Sequence, residues 1–121
     1  MKPESKFYAE IKKYFKNFSL IRIENISLHG TPDLLVYNNN GHFFTIELKV
    51  TRSKKVSFSP HQSAFHMRHP ENTFILVKSL ASREVKLYEG KDILELAARG
   101  LSLEPRCLSL AACCSLLEAL A

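Results

Sequence analysis

Apolar residues recur along the chain with two different periods, which predict helices and strands. Within residues 4–17, Phe7, Ile11 and Phe15 recur every four positions with lysines between them, a spacing that predicts an amphipathic helix. The following segment, 19–24, alternates apolar and polar residues imperfectly and predicts a first strand. We therefore expect the apolar stripe of the first helix to lie on a sheet.

The sequence around residue 40 predicts a β-hairpin. Two β-prone runs, 33–37 and 42–50, are separated by three asparagines and a glycine. If the loop is the three-residue kind with Gly41 in the left-handed conformation, Asn38 pairs with His42 across the hairpin.

This register brings three charged residues together on one face of the sheet. Counting back from the turn, Asp33 falls opposite Glu47. Because side chains alternate between the two faces of a strand, Lys49 points the same way as Glu47. Two carboxylates and an ammonium group therefore converge on one patch of sheet.

The rest of the chain predicts further helices and strands. Ser59 as N-cap, Pro60 at the first helical position and Gln62 three residues after the cap predict a second helix that runs to about Arg68. Strands at 73–77 and 85–88, a helix at 91–99 that ends at Gly100, and an apolar helix within 107–121 complete the predicted elements.

The predicted order of the main elements is α-β-β-β-α-β-β-α, which indicates an α/β fold. A chain of 121 residues can bury one core, so we expect one domain over 1–121, with 91–121 as a helical C-terminal extension. The last fifteen residues carry one charge, Glu118, so the final helix must be covered by another surface.

The charge of the chain favours an anionic partner. Lysine and arginine number 17 against 12 acidic residues, for a net charge of +5. Four cations crowd into seven residues at Lys49, Arg52, Lys54 and Lys55. We expect the last three, which follow the strand that carries Glu47 and Lys49, to contact the phosphates of an anionic partner such as a nucleic acid.

Composition argues against an exported or membrane protein. The first residues are polar, and no apolar run approaches the roughly 18 residues of a membrane span. The three cysteines have no Cys-x-x-Cys spacing, so neither a disulfide framework nor a zinc site is indicated. We expect a protein of the reducing cytoplasm that does not contact a membrane.

The converging charges indicate a divalent metal site. Burying two carboxylates and a lysine is costly unless a cation resolves the repulsion. Asp33, Glu47 and the backbone carbonyl of Leu48 offer the oxygen ligands that Mg²⁺ prefers, and Mn²⁺ should substitute. Lys49 can orient the attacking water and stabilise charge on phosphorus. The alternative is that Asp33 closes a turn and that Glu47 and Lys49 form an exposed cross-strand network.

These motifs resemble those of a known nuclease superfamily. Pro32-Asp33 followed by a hairpin and Glu47-Leu48-Lys49 resembles the PD-(D/E)xK signature. Further segments resemble its VRR-type nuclease branch and the phage Holliday-junction-resolvase-like relatives, namely 4–7, 22–25, 30–33, 46–49 and Pro60-x-Gln62. The resemblance covers roughly residues 4–90.

The resemblance implies a fold, an activity and an assembly. It implies a restriction-endonuclease-like core, a mixed central sheet flanked by helices, and a metal-dependent endonuclease that hydrolyses phosphodiester bonds in DNA. It also implies branched DNA as the substrate, a homodimer, and the host cytoplasm as the location if a phage encodes the chain. Within that class, a nicking or repair nuclease without junction preference remains open.

The resemblance also assigns roles to individual residues. Asp33 and Glu47 become metal ligands, Lys49 the catalytic lysine, and Gln62 a residue near the scissile phosphate. Gln62 has a second possible role in the capping box with Ser59, and we expect the two roles to coexist only if its side chain turns outward.

Two further positions follow from the resemblance. The family places a glutamate on the first helix; we choose Glu4, which lies on the apolar face, over Glu10, which lies to one side of it. Arg22 matches the family's Arg-x-Glu strand and is expected on the DNA side, although it could simply pair with neighbouring strands.

Other interpretations remain open at the level of sequence. His29, His61, His66 and His69 could suggest a metal site, but no third ligand is evident, and we predict surface histidines. The chain could be a DNA-binding module without cleavage, or an interaction protein whose functional part is the apolar helix within 107–121. That helix could form the twofold contact of a homodimer or pack within its own subunit.

Overall fold

A computed structural model describes residues 2–23 and 30–121. Its main elements are α1 (Pro3–Tyr14), β1 (Ser19–Arg22), β2 (Leu34–Tyr37), β3 (Phe43–Thr51), α2 (Pro60–Arg68), β4 (Thr73–Ser79), β5 (Val85–Glu89), α3 (Ile93–Arg99) and α4 (Leu110–Glu118). The predicted α/β order is confirmed, with α4 as the apolar helix near the C-terminus. Glu24 and His29 lie outside the described residues.

The five strands form one mixed sheet in the order β1-β2-β3-β4-β5. β3 and β4 are parallel and joined by α2, while the other neighbouring pairs are antiparallel. A parallel pair needs a crossover connection, and α2 supplies it. β3 therefore lies at the centre of the sheet, between β2 and β4.

The predicted hairpin register is confirmed. Leu34 pairs with Ile46, and the Asn38 amide donates to the His42 carbonyl at 3.0 Å. Gly41 has a φ of +75°, the left-handed conformation that the turn requires. The turn residues thus set which side chains of β3 share a face.

One face of the sheet packs against α1 and α4. Its core is apolar and comprises Phe7, Ile11 and Phe15 of α1, Leu34, Val36, Phe44, Ile46 and Leu48 of the hairpin, and Leu110, Cys113 and Leu117 of α4. On the opposite face a smaller core joins β4 and β5 to α3, with Ile75, Val77, Tyr88, Ile93 and Leu96.

The C-terminal helix α4 packs within its own subunit. Leu110, Cys113 and Leu117 are buried against the sheet core. The Asn38 side-chain amide donates to the carbonyls of Leu117 and Leu120 at 3.0 and 2.7 Å, so the hairpin turn caps the end of the helix. The apolar side of α4 is therefore occupied within the chain, as the second of the two alternatives for this helix predicts.

None of the helices in the described ranges is both long and apolar enough to span a membrane.

Candidate active site

The β2–β3 ladder ends where the candidate site begins. The hydrogen-bonded pairs of this hairpin include Leu34 with Ile46, so the next pair in register would be Pro32 with Leu48. Proline has no N–H to donate to the Leu48 carbonyl. The Leu48 amide instead donates to the Oδ2 atom of Asp33 at 2.8 Å. The end of the ladder therefore presents a carboxylate and a backbone carbonyl together.

Glu47 is a buried carboxyl group in the middle of the sheet. It is 2% exposed, and its Oε2 accepts a hydrogen bond from Gln62 at 3.3 Å. Its Oε1 is buried and has no hydrogen-bond partner among the described residues. Burial first, and then the adjacent Asp33, raise the pKa of Glu47 to about 9 against the lowering effect of Lys49.

Lys49 projects from the same face of β3, two residues after Glu47. Its Nζ donates to the Oε1 atom of Gln62 at 3.0 Å and lies 5.0 Å from the centre of the Phe58 ring. The face of the Phe58 ring attracts the Lys49 ammonium group, and the hydrogen bond to Gln62 restrains that group. The ammonium group is therefore held beside the carboxylates on one side of the sheet.

Gln62 serves both the helix cap and the site. Its Oε1 accepts from the Ser59 amide at 3.0 Å and also from Lys49, while its Nε2 donates to Glu47. The backbone amide of Gln62 completes the capping box by donating to the Ser59 hydroxyl at 3.1 Å. The expectation that the two roles require an outward side chain is wrong, because an amide oxygen has two acceptor positions and the NH₂ group serves the third contact.

The donor set at this point suits a hard divalent cation. Asp33 and Glu47 supply carboxylate oxygens, one of them the unpartnered Oε1 of Glu47, and the Leu48 carbonyl lies on the Asp33 side of β3. Within residues 2–23 and 30–121 there is no group of three or more His, Cys, Asp or Glu that could hold a metal. Water and phosphate would therefore complete the shell of a cation such as Mg²⁺.

Glu4 borders a cleft of about 330 Å³ beside β3. The residues that line this cleft include Glu4, Lys49, Ser53 and Lys55. Glu10, the alternative glutamate, instead forms an ion pair with Lys78. The structure thus brings Glu4, and not Glu10, to the cleft that contains Lys49.

Arg22 lies on the other side of the sheet. It pairs with Leu34, whose side chain belongs to the core under α1. Its guanidinium group lies 5.1 Å from the centre of the Tyr8 ring. The structure does not bring Arg22 to the face that carries Asp33 and Glu47.

The basic loop after β3 is exposed and well ordered by internal hydrogen bonds. Arg52, Lys54 and Lys55 form no ion pair with a residue in the described ranges. The Thr51 hydroxyl donates to the Lys55 carbonyl at 2.8 Å, and the Leu101 amide donates to the Lys54 carbonyl at 2.7 Å. The loop presents free cations from a fixed backbone.

His66 is the main residue that sequence reasoning misplaced. His61 and His69 are exposed, as predicted, but His66 is fully buried and both of its ring nitrogens lack a hydrogen-bond partner among the described residues. Burial, followed by the nearby His69, lowers the pKa of His66 to about 4. It lies one helical turn after Gln62, so its position four residues from a site residue was the available signal.

Comparisons with known proteins bear on the fold. No protein-family model and no curated protein matches the chain. The solved structure of Archaeoglobus fulgidus Hjc, a Holliday junction resolvase from an archaeal hyperthermophile, is similar with a TM-score of 0.51 and 17% identity, over 71% of this chain and 72% of that one. SSO0001 gives a TM-score of 0.41 and 20% identity, over 86% of this chain and 60% of that one. The first similarity, together with the mixed five-stranded sheet, confirms the predicted restriction-endonuclease-like fold.

Proposed function

We propose that this protein is a Mg²⁺-dependent endonuclease that hydrolyses phosphodiester bonds in DNA. The observation that carries the proposal is the pairing of Asp33 with a buried Glu47 whose Oε1 has no partner among the described residues, beside a restrained lysine. A structural role alone would leave a buried carboxyl group uncompensated. A bound cation would resolve this conflict.

Asp33, Glu47 and the Leu48 carbonyl would hold the metal. When bound, Mg²⁺ or Mn²⁺ would supply a Lewis acid beside the scissile phosphate. Asp33 is suited to this role because its carboxylate is already fixed by the Leu48 amide. The geometry of the ligands is thereby set before DNA arrives, which reduces the reorganisation needed for catalysis.

Lys49 and Gln62 would act on the reacting groups. The Lys49 ammonium can orient the attacking water and stabilise the negative charge that develops on phosphorus. Gln62 bridges Lys49 and Glu47 through its two amide atoms and so fixes their separation. Glu4 borders the cleft that contains Lys49 and would help to position water there.

Branched DNA is the substrate we favour, cut by a homodimer. The archaeal protein with a similar fold is a Holliday junction resolvase, which supports a junction as the first substrate to test. One chain offers one such site, and cutting two strands symmetrically needs two, so a twofold pair would supply the second. The loop cations Arg52, Lys54 and Lys55 would contact the phosphate backbone.

A panel of DNA substrates tests the proposal. Purified protein should nick a four-way junction in Mg²⁺ or Mn²⁺ and stop when a chelator is added, with slower cleavage of flaps and linear duplex. A protein that binds the same DNA but cleaves none of it with either metal would be a DNA-binding module, and the proposal would be wrong. Light scattering at micromolar concentration reports the assembly separately.

A further inference from the structure

The basic loop separates two cavities that differ in their lining. On one side is the cleft beside β3 that contains Lys49, called here the catalytic cleft after the proposed function, and Lys55 contributes to it. On the other side is a cavity of about 370 Å³, called here the far groove, to which Arg52 and Lys54 contribute. Ser53 lines both and forms the ridge between them. The loop cations therefore do not all line the same cavity.

The far groove contains a third cation, Lys86, from strand β5. In the sheet register Lys49 pairs with Val77, and Val77 pairs with Lys86. Lys86 is therefore on the same face as the catalytic lysine, two strands away, at roughly 10 Å between Cα atoms from the usual strand spacing. The register places Lys86, which could bind a phosphate group, within reach of a substrate bound at Lys49.

The groove has a net positive charge. Arg52, Lys54 and Lys86 make no ion pair within the part of the chain described, and the groove contains a single carboxylate, Glu84. Four serines, at positions 53, 79, 82 and 102, also line it, and the exposed Ser53 and Ser82 hydroxyls, which accept from backbone amides, can donate to phosphate oxygens. Cations with hydroxyl donors suit a phosphodiester backbone, which is read without regard to sequence.

The C-terminal extension builds the wall of this groove. The Leu101 amide donates to the Lys54 carbonyl, and the Leu101 carbonyl accepts from the Lys86 Nζ at 3.3 Å. Gly100, with a φ of +60°, lies so close to the backbone of Lys54 that a Cβ atom added to Gly100 would be 2.2 Å from the Lys54 carbonyl oxygen. Residues 100–102 thus fix both Lys54 and Lys86, a role for the extension beyond covering the sheet.

We propose that the far groove binds the phosphate backbone of a second DNA arm, while the first arm occupies the catalytic cleft. This inference rests on the proposed function, since it assigns the substrate class that engages both sides of the loop. A linear duplex seated in the catalytic cleft would leave the far groove empty, whereas a branched substrate would fill both. Preference for branched DNA would then come from added contacts and not from base recognition.

Binding to two DNA substrates tests the proposal. Lys86→Gln is compared with wild type on a four-way junction and on a linear duplex with the same arm sequence, in Ca²⁺ so that no cleavage is needed. Lys91→Gln is the matched control, because Lys91 is an exposed lysine that follows β5, pairs with Glu89 and lies outside the groove. Circular dichroism and thermal unfolding verify that each variant is folded.

We expect Lys86→Gln to lose about fivefold in junction affinity and about 0.9 from the slope of log affinity against log salt, the value of one phosphate contact. Its duplex affinity should change less than twofold, and Lys91→Gln should match wild type on both substrates. An equal loss on both substrates, or no loss on either, would overturn the proposal. If Lys86→Gln shows the loss on the junction alone but wild type never cleaves in Mg²⁺, the groove stands and the proposed nuclease function fails.

Discussion

The two faces of the β2–β3 hairpin have opposite chemistry, although alternate residues of the same strands form them. One face presents Leu34, Phe44 and Ile46 to the apolar core under α1 and α4. The other presents Asp33 and Glu47. Among the described residues, the four buried side-chain atoms without a hydrogen-bond partner all belong to Thr45, Glu47 and His66, on the α2 side of the sheet. The apolar face stabilises the fold, and the polar face carries the candidate function at a cost in stability.

The largest effect on stability should come from the apolar face. Phe44→Ala removes a fully buried ring, and we expect it to lower the free energy of unfolding by about 3–5 kcal/mol. Cleavage per folded molecule should change little, because Phe44 points away from the site. Denaturant unfolding and cleavage at low temperature measure the two quantities; a folded variant with abolished cleavage would break the division between faces.

A substitution on the polar face should act in the opposite direction. In the metal-free protein the Glu47 carboxyl group has a pKa of about 9 when the chain is folded. In the unfolded chain the same group loses its proton near its ordinary pKa of 4.5. This group therefore destabilises the fold increasingly as pH rises between these values. Glu47→Gln cannot ionise, and we expect it to raise the free energy of unfolding at pH 8 by about 1–3 kcal/mol. Denaturant unfolding in the presence of a chelator measures the free energy of unfolding. A Glu47→Gln variant less stable than wild type at pH 8 would contradict this prediction.

His66 should make stability fall in acid. Its folded pKa near 4 lies below the ordinary 6.5, so between these values the unfolded chain binds a proton that the folded chain excludes. Stability should drop by about 2 kcal/mol as pH falls from 7 to about 5, and the drop should be smaller in His66→Leu by that amount. Exposed His61 provides the control as His61→Gln, because it is not one of the groups that lower the pKa of His66. Equal pH slopes for wild type and His66→Leu would show that burial of His66 is not the cause.

The smallest effect is expected at Gln62, where a matched pair of variants separates its two roles. Ser59→Ala removes the hydroxyl that caps α2 and should cost about 1 kcal/mol in stability without changing cleavage. Gln62→Ala should cost a similar amount and also lower kcat about tenfold, because Lys49 and Glu47 lose their bridge. Equal kcat for the two variants would reduce Gln62 to a helix cap.

The elements and the hairpin register could be predicted because local chemistry determines them. The asparagines and Gly41 select the turn, and strand alternation then places Glu47 and Lys49 on one face. Burial of His66 could not be predicted, because the inner face of α2 is itself polar there, with Gln62 one turn earlier, and no apolar stripe marks it. The position of Arg22 depends on the register of β1 against β2, which no turn signal in the sequence specifies.

The most direct test of the central claim, that Asp33 and Glu47 hold a catalytic metal, is cleavage by Asp33→Asn and Glu47→Gln in saturating Mg²⁺. The account predicts that each folded variant loses more than about a hundredfold in cleavage of a four-way junction, while its affinity for that DNA stays within a few fold of wild type. Wild-type turnover by either variant would contradict it.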